Sequence, residues 1–135
     1  MPIDTVVVLS QVPLFAGFER HDLERLARTF KERTFREGHE ITTEGAGGVG
    51  FFVIVDGTAN VFIGGKQKNT LGPNDSFGEM ALIDDSPRSA TIVAATDMHC
   101  LGLSAWEFRP FVEEHPNVAW ALLQTLAKRL RAAQA

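Results

Sequence analysis

The sequence predicts a mainly β fold: an antiparallel β-roll or jelly-roll barrel, with helices before it and a helical lid after it. Three observations carry this reading. Between residues 34 and 103, short apolar or alternating runs are cut repeatedly by glycine-rich turns, the texture of an antiparallel roll or barrel. On either side, residues 14–31 and 104–131 repeat their apolar side chains at helical spacing instead. The length of 135 residues, with 44% hydrophobic and 22% charged, is that of one globular domain able to bury a core without disulfide or metal staples. The expected organisation is a single domain over 1–135. Residues 1–33 hold the N-terminal helices, 34–103 the roll, and 104–135 the C-terminal helices.

In chain order, Phe15, Phe18, Leu23, Leu26, Ala27 and Phe30 recur near helical spacing over residues 14–31. Gly17 breaks this stretch in two, and His21 or Asp22 stands near the start of the second helix. Residues 34–37 and 40–43 read as strands around Gly38, followed by a loop at Gly45-Ala46-Gly47-Gly48. Residues 49–55 are apolar and β-branched, and Asp56-Gly57 is a hairpin signal that sends this strand back through residues 58–63. Gly64-Gly65 and Gly72-Pro73-Asn74-Asp75 mark two more turns. Residues 90–95 and 98–103 add two further strands, for about eight in all.

Ser104 and Glu107 have the spacing of a capping box. Pro110 lacks a backbone N–H, so the helix is expected to be broken or delayed there, with Pro110 in its first turn. Pro116-Asn117 separates the final helix, Val118 to about Arg131. On it Leu122, Leu126 and Leu130 share a face, with Ala119 and Leu123 beside them, and Lys128, Arg129 and Arg131 complement the negative end of the dipole. That leucine face is expected to pack on the roll; the alternative is a homodimer through the C-terminal helix.

Several classes are excluded or disfavoured. The single cysteine, Cys100, allows no internal disulfide or CxxC motif and lies in an apolar run where it should be buried. His21, His39, His99 and His115 form no HxH or HExxH spacing, so no metal site is expected, and with it no metal-dependent enzyme of the cupin kind. A net charge of -4 argues against a surface dedicated to nucleic acid. No apolar stretch reaches the ~20 residues of a membrane span. Val6-Val7-Val8-Leu9 is too short for a secretory core and follows an acid, Asp4, so the cytoplasm is the expected location.

The segment Phe77-Gly78-Glu79-Met80-Ala81-Leu82-Ile83-Asp84-Asp85-Ser86-Pro87-Arg88-Ser89-Ala90-Thr91 interrupts the strands and carries the parts of an anion cradle. Gly78 allows close backbone approach. Residues 79–82 can start a short helix whose free N–H groups attract an anion. Arg88 supplies a planar fork suited to phosphate, and Ser89 a hydroxyl donor. Glu79 would repel a phosphate but suits a hydroxyl on the same ligand. A phosphate beside a ribose hydroxyl describes a nucleotide.

This segment resembles the phosphate-binding cassette of the cyclic nucleotide-binding domain family, whose pattern is roughly F-G-E-[LIM]-A-L, a short gap, then P-R-[AST]-A-T. Every position of it is met here, and the resemblance extends over nearly the whole chain. It implies a non-catalytic sensor in which Glu79 accepts a bond from the ribose 2′-hydroxyl and Arg88 pairs with the phosphate. Backbone amides near Gly78, Met80, Ala81 and Ala90, with the Ser89 hydroxyl and the flanking Phe77, would complete the shell, and Val61 would touch the ligand from the roll. In the family a last-helix side chain often covers the base; Leu126, Arg129 and Leu130 are the candidates here. Serine at position 89 permits both cAMP and cGMP, and cAMP is the expected ligand, with no separate cofactor. Transcription factors of the family carry a helix-turn-helix after the long helix. None follows here, so the expected output is through a fused or separate effector, without direct nucleic acid binding. A module that keeps this fold without its ligand is the remaining alternative.

Overall fold

The structure is a computed structural model that describes residues 4–45, 50–84 and 87–134, without the side chains of Glu79 and Met80. The expected loop at 46–48, Val49 at the start of its strand, and Asp85-Ser86 lie outside the described residues.

The run Val6-Val7-Val8-Leu9, too short for a secretory core, belongs to a helix, α1 (Thr5–Ser10). Asp4 caps it by accepting from the Val7 N–H at 3.3 Å, and Leu9 is fully buried. A 3₁₀ turn at Pro13–Phe15, the break at Gly17 and helix α2 (Arg20–Ala27) follow; the helical stretch expected to reach residue 31 ends at Ala27, because Lys31 already pairs as a strand with Gly102.

Eight strands form two antiparallel four-stranded sheets. The first has the order β1 (Lys31–Phe35), β8 (Met98–Ser104), β3 (Gly50–Asp56), β6 (Ser76–Phe77). The second has the order β2 (Glu40–Thr42), β7 (Thr91–Ala94), β4 (Ala59–Ile63), β5 (Lys66–Leu71). Among the described residues no ladder joins the two sheets, so the fold is an open roll rather than a closed barrel.

Asp56-Gly57 is therefore not a hairpin. β3 pairs with β8 and β6, whereas β4 pairs with β5 and β7, and the dipeptide carries the chain from one sheet to the other. Gly57 has φ +93 and packs so closely on the Asp97 carbonyl that no side chain fits, which explains a turn-like dipeptide without a hairpin. Gly64-Gly65 is a hairpin: both φ values are positive, 60 and 78, as a two-residue mirror-image turn requires, and Ile63 faces Lys66. Pro73 and Asn74 (φ 74) form a type II turn closed by the Asp75 N–H on the Gly72 carbonyl at 3.0 Å.

The first sheet divides two apolar clusters. Phe51, Val53, Leu101 and Leu103 face the helices, in a core with Leu14, Phe15, Leu26, Phe108, Val118 and Leu122. Ile54, Cys100 and the half-buried Phe52 face the second sheet, with Phe35, Phe77, Ala59, Ile92 and Ala94. Phe77 belongs to the roll-side cluster, while Leu82, five positions later, belongs to the helix-side core. The segment between them crosses from one side to the other.

Helix α3 (Ala105–Glu114) begins where the capping spacing placed it: the Glu107 carboxylate accepts from the Ser104 hydroxyl at 2.6 Å and its N–H at 3.4 Å. The expected break at Pro110 does not occur. The ring sits inside an unbroken helix on an exposed face, where water can serve the carbonyl of the exposed Trp106 that loses its amide partner. Pro116 likewise does not precede the last helix but opens it as the first residue of α4 (Pro116–Gln134), where a missing N–H is harmless. Asn117 then donates to the buried Asp22 at 2.7 Å and ties α4 to α2.

Candidate functional site

The cassette is strapped to the second sheet's entrance by one main-chain bond and two that use threonine hydroxyls. The Gly45 N–H donates to the Arg88 carbonyl at 2.8 Å, the Thr42 hydroxyl to the Ala90 carbonyl at 3.1 Å, and the Glu44 N–H to the Thr91 hydroxyl at 2.9 Å. Glu44 in turn accepts from the Gly64 N–H at 2.9 Å, which links the strap to the β4–β5 hairpin. These contacts fix where residues 88–91 enter the roll.

Arg88 is half-buried, and its Nη2 donates to the Gly50 carbonyl at 2.6 Å. Its Nε is buried without a hydrogen-bond partner among the described residues. Burial pulls the guanidinium below its ordinary pKa, because desolvation disfavours the charge. Gly78 has φ +85, and a Cβ there would come within 2.5 Å of the Arg88 Nη1 and 2.6 Å of the Gly50 carbonyl. Glycine at position 78 is thus the condition for the guanidinium to lie where it does.

Around this group lies a cavity of about 310 Å³, within the range of small-molecule sites. Of the residues singled out in the sequence, Val61, Phe77, Gly78, Arg88, Ser89 and Ala90 line it. Ser89 is exposed at its edge, Phe77 is buried against Phe52 with centroids 5.4 Å apart, and Val61 packs on the roll-side cluster. Ala81 does not line the cavity; it sits in a 3₁₀ turn at Glu79–Leu82, with its N–H on the Gly78 carbonyl at 3.1 Å. The expected roles of the Glu79 and Met80 side chains lie outside what the structure describes. A cavity with an apolar wall, an exposed hydroxyl and a desolvated cation suits an anion joined to a less polar body.

The candidate base-covering residues are not brought to this cavity. Leu126 lines a groove with Leu82, Phe108 and Leu122; Arg129 lies in a cleft with Pro13 and Ala121; Leu130 is 61% exposed. The reason is the first sheet, which stands between α4 and the roll interior. The leucine face packs as expected at its first turn, where Leu122 is buried in the helix-side core and Leu126 is partly buried against it. Sequence reasoning missed Gly50, whose carbonyl holds Arg88, and the lining residues Thr42, Ile63, Asn69, Leu71 and Ile92. Alternation along β4, which puts Val61 and Ile63 on one face, was the available signal for Ile63. Elsewhere the donor atoms of Glu19, His21 and Asp22 lie within 4.8 Å of one another, and the Arg25 guanidinium stands 3.6 Å from Asp22 Oδ1.

Comparison with known proteins matches residues 32–115, more than half of the chain, to the model of the cyclic nucleotide-binding domain. The chain is 32% identical over 126 residues to the cyclic AMP receptor protein of Thermus thermophilus, covering 90% of this chain and 58% of that protein. It is 35% identical over 103 residues to the cAMP-dependent protein kinase regulatory subunit of Debaryomyces hansenii, covering 75% of this chain and 23% of the subunit. Among solved structures, the N-terminal domain of a transcriptional regulator from Streptomyces coelicolor A3(2) superposes with a TM-score of 0.86 at 30% identity, over 94% of this chain and 92% of that one. The chain spans little more than half the length of the first of these relatives and under a quarter of the second. With the cassette, the roll and the family match in agreement, this chain belongs to the cyclic nucleotide-binding domain family.

Proposed function

We propose that this chain is a single, non-catalytic sensor domain that takes cAMP in the cavity beside Arg88 and works in the cytoplasm through a fused or separate effector. One observation carries the reading: a desolvated guanidinium with an unpartnered Nε, set in a cavity lined by the matched motif residues. An entering cyclic phosphate would restore the partner that burial took away. Glu79 would accept from the ribose 2′-hydroxyl, the Ser89 hydroxyl would bond the phosphate, and Val61 would pack against the ligand. Relatives named for cAMP support adenine over guanine.

The output is a population shift. Ligand pairing at Arg88 draws the cassette inward, and the link from Phe77 to Leu82 passes that movement to the helix-side core and to the seating of α3 and α4. The test is calorimetric titration of the whole chain with cAMP and cGMP in parallel. Saturable binding with cAMP tighter supports the reading; tighter cGMP corrects the base preference; heats of dilution alone with both sink it.

A further inference from the structure

Arg88 borders a second cavity. It encloses about 430 Å³ and is bounded by β1, the end of β2 and the start of α3. Lys31 and Arg33 enter it from the same face of β1, two residues apart, and neither makes an ion pair among the described residues. The intervening Glu32 points to the other face, 3.7 Å from His99. Glu107 is the one carboxylate among the described lining residues, and its Oε1 is taken by the Ser104 hydroxyl. In a chain of net charge -4, three cations therefore border one cleft.

The rest of the described lining sets the hydroxyls of Thr42, Thr43 and Ser104 beside apolar surface from Ile41, Phe52, Leu103 and Trp106. Phe52 lies across the backbones of Gly50 and Gly102, where an added Cβ would come within 2.9 and 3.0 Å of its ring. Trp106 forms a wall and is 66% exposed, a large aromatic surface left to water at the mouth of a cavity.

We propose that this cleft is a second ligand site, for an anion joined to a flat aromatic group, the chemistry of a nucleoside 5′-phosphate. Lys31 and Arg33 hold the anion, and Trp106 stacks on the ring. Among the described residues this cleft shares Thr42 and Arg88 with the cavity lined by Val61 and Ser89, but Lys31, Arg33 and Trp106 belong to it alone, so the proposal does not depend on what that cavity takes.

The test uses the whole chain with Trp120→Phe, which leaves Trp106 as the only tryptophan, and 5′-AMP and inorganic pyrophosphate as probes. Saturable change in Trp106 fluorescence with AMP is expected, and Lys31→Ala/Arg33→Ala should weaken AMP by about tenfold or more, the usual result of removing charged hydrogen-bond donors. Calorimetric affinity for cAMP should stay within about threefold in that variant, since neither residue lines the other cavity. Trp106→Ala, read by calorimetry, should remove the advantage of AMP over pyrophosphate. Because all three side chains are exposed, the variants should keep the wild-type melting midpoint. No fluorescence response to millimolar AMP, or the same AMP affinity in the double variant, overturns the proposal. Equal losses of AMP and cAMP in the double variant would mean one continuous site and would overturn it too.

Discussion

Arg88→Ala separates a ligand-binding arginine from a structural one, because its effects on the empty and the loaded protein should differ. Among the described residues the side chain of the empty protein makes a charge-assisted bond to the Gly50 carbonyl at 2.6 Å, worth about 1.5–3 kcal/mol net. Against it stand a desolvated charge and an unpartnered buried Nε, a penalty of about 1–3 kcal/mol. The two nearly cancel, so the variant's unfolding free energy should lie within about 1 kcal/mol of wild type. Ligand affinity should fall far more, by about 2–5 kcal/mol for one lost member of a desolvated charge pair, or roughly 30- to 4,000-fold in Kd. At cAMP equal to about 100 times the wild-type Kd, binding adds about 2.7 kcal/mol, or roughly 8–13 °C of melting midpoint for a chain of this size. The variant at the same concentration should keep no more than about 4 °C. Thermal melts with and without cAMP measure both quantities. Equal midpoint gains in the two proteins would refute the assignment of Arg88 to the ligand. A loss above about 3 kcal/mol in the empty variant would refute the cancellation.

Gly78→Ala forces an L side chain into φ +85 and against the Arg88 guanidinium, so it should lower stability by about 1–3 kcal/mol in urea unfolding and weaken cAMP as well. Asn117→Ala removes the 2.7 Å donor from a buried carboxylate, and a loss of about 1–3 kcal/mol is expected, read as a lower urea midpoint with unchanged slope. Burial raises the Cys100 thiol from 9.0 to about 11, so the native state holds this proton after the unfolded chain has released it. Its contribution is complete below pH 9 and falls away as pH rises toward 11. Urea midpoints should drop across that window less steeply in Cys100→Ala than in wild type.

What could be read from the residues was mostly local. The Ser104–Glu107 cap and the Gly64-Gly65 turn each lie within a few positions and form where they were expected; the cassette motif, equally local, brings Phe77, Gly78, Arg88, Ser89 and Ala90 to one cavity while Ala81 stays outside it. The failures needed distant partners. Asp56-Gly57 has hairpin chemistry, but its glycine answers to the Asp97 carbonyl across the roll, and β3 finds β8 rather than its neighbour. Pro110 is tolerated because the exposed side of α3 lets water replace an amide. The anchor of Arg88 is a main-chain carbonyl 38 positions away, on a glycine that no side-chain pattern could mark. The last helix was expected over the base only because the family resemblance implies it, whereas the sheet that keeps Leu126, Arg129 and Leu130 away is a tertiary fact.

The dividing sheet has a consequence for how such a chain can change over generations. Among the described residues, none that lines the cavity of Val61, Arg88 and Ser89 belongs to the helix-side cluster. Drift can therefore rewrite the helices, and with them whatever they report to, while recognition stays intact. The short bridge from Phe77 to Leu82 is the exception: heredity must hold it to both sides at once.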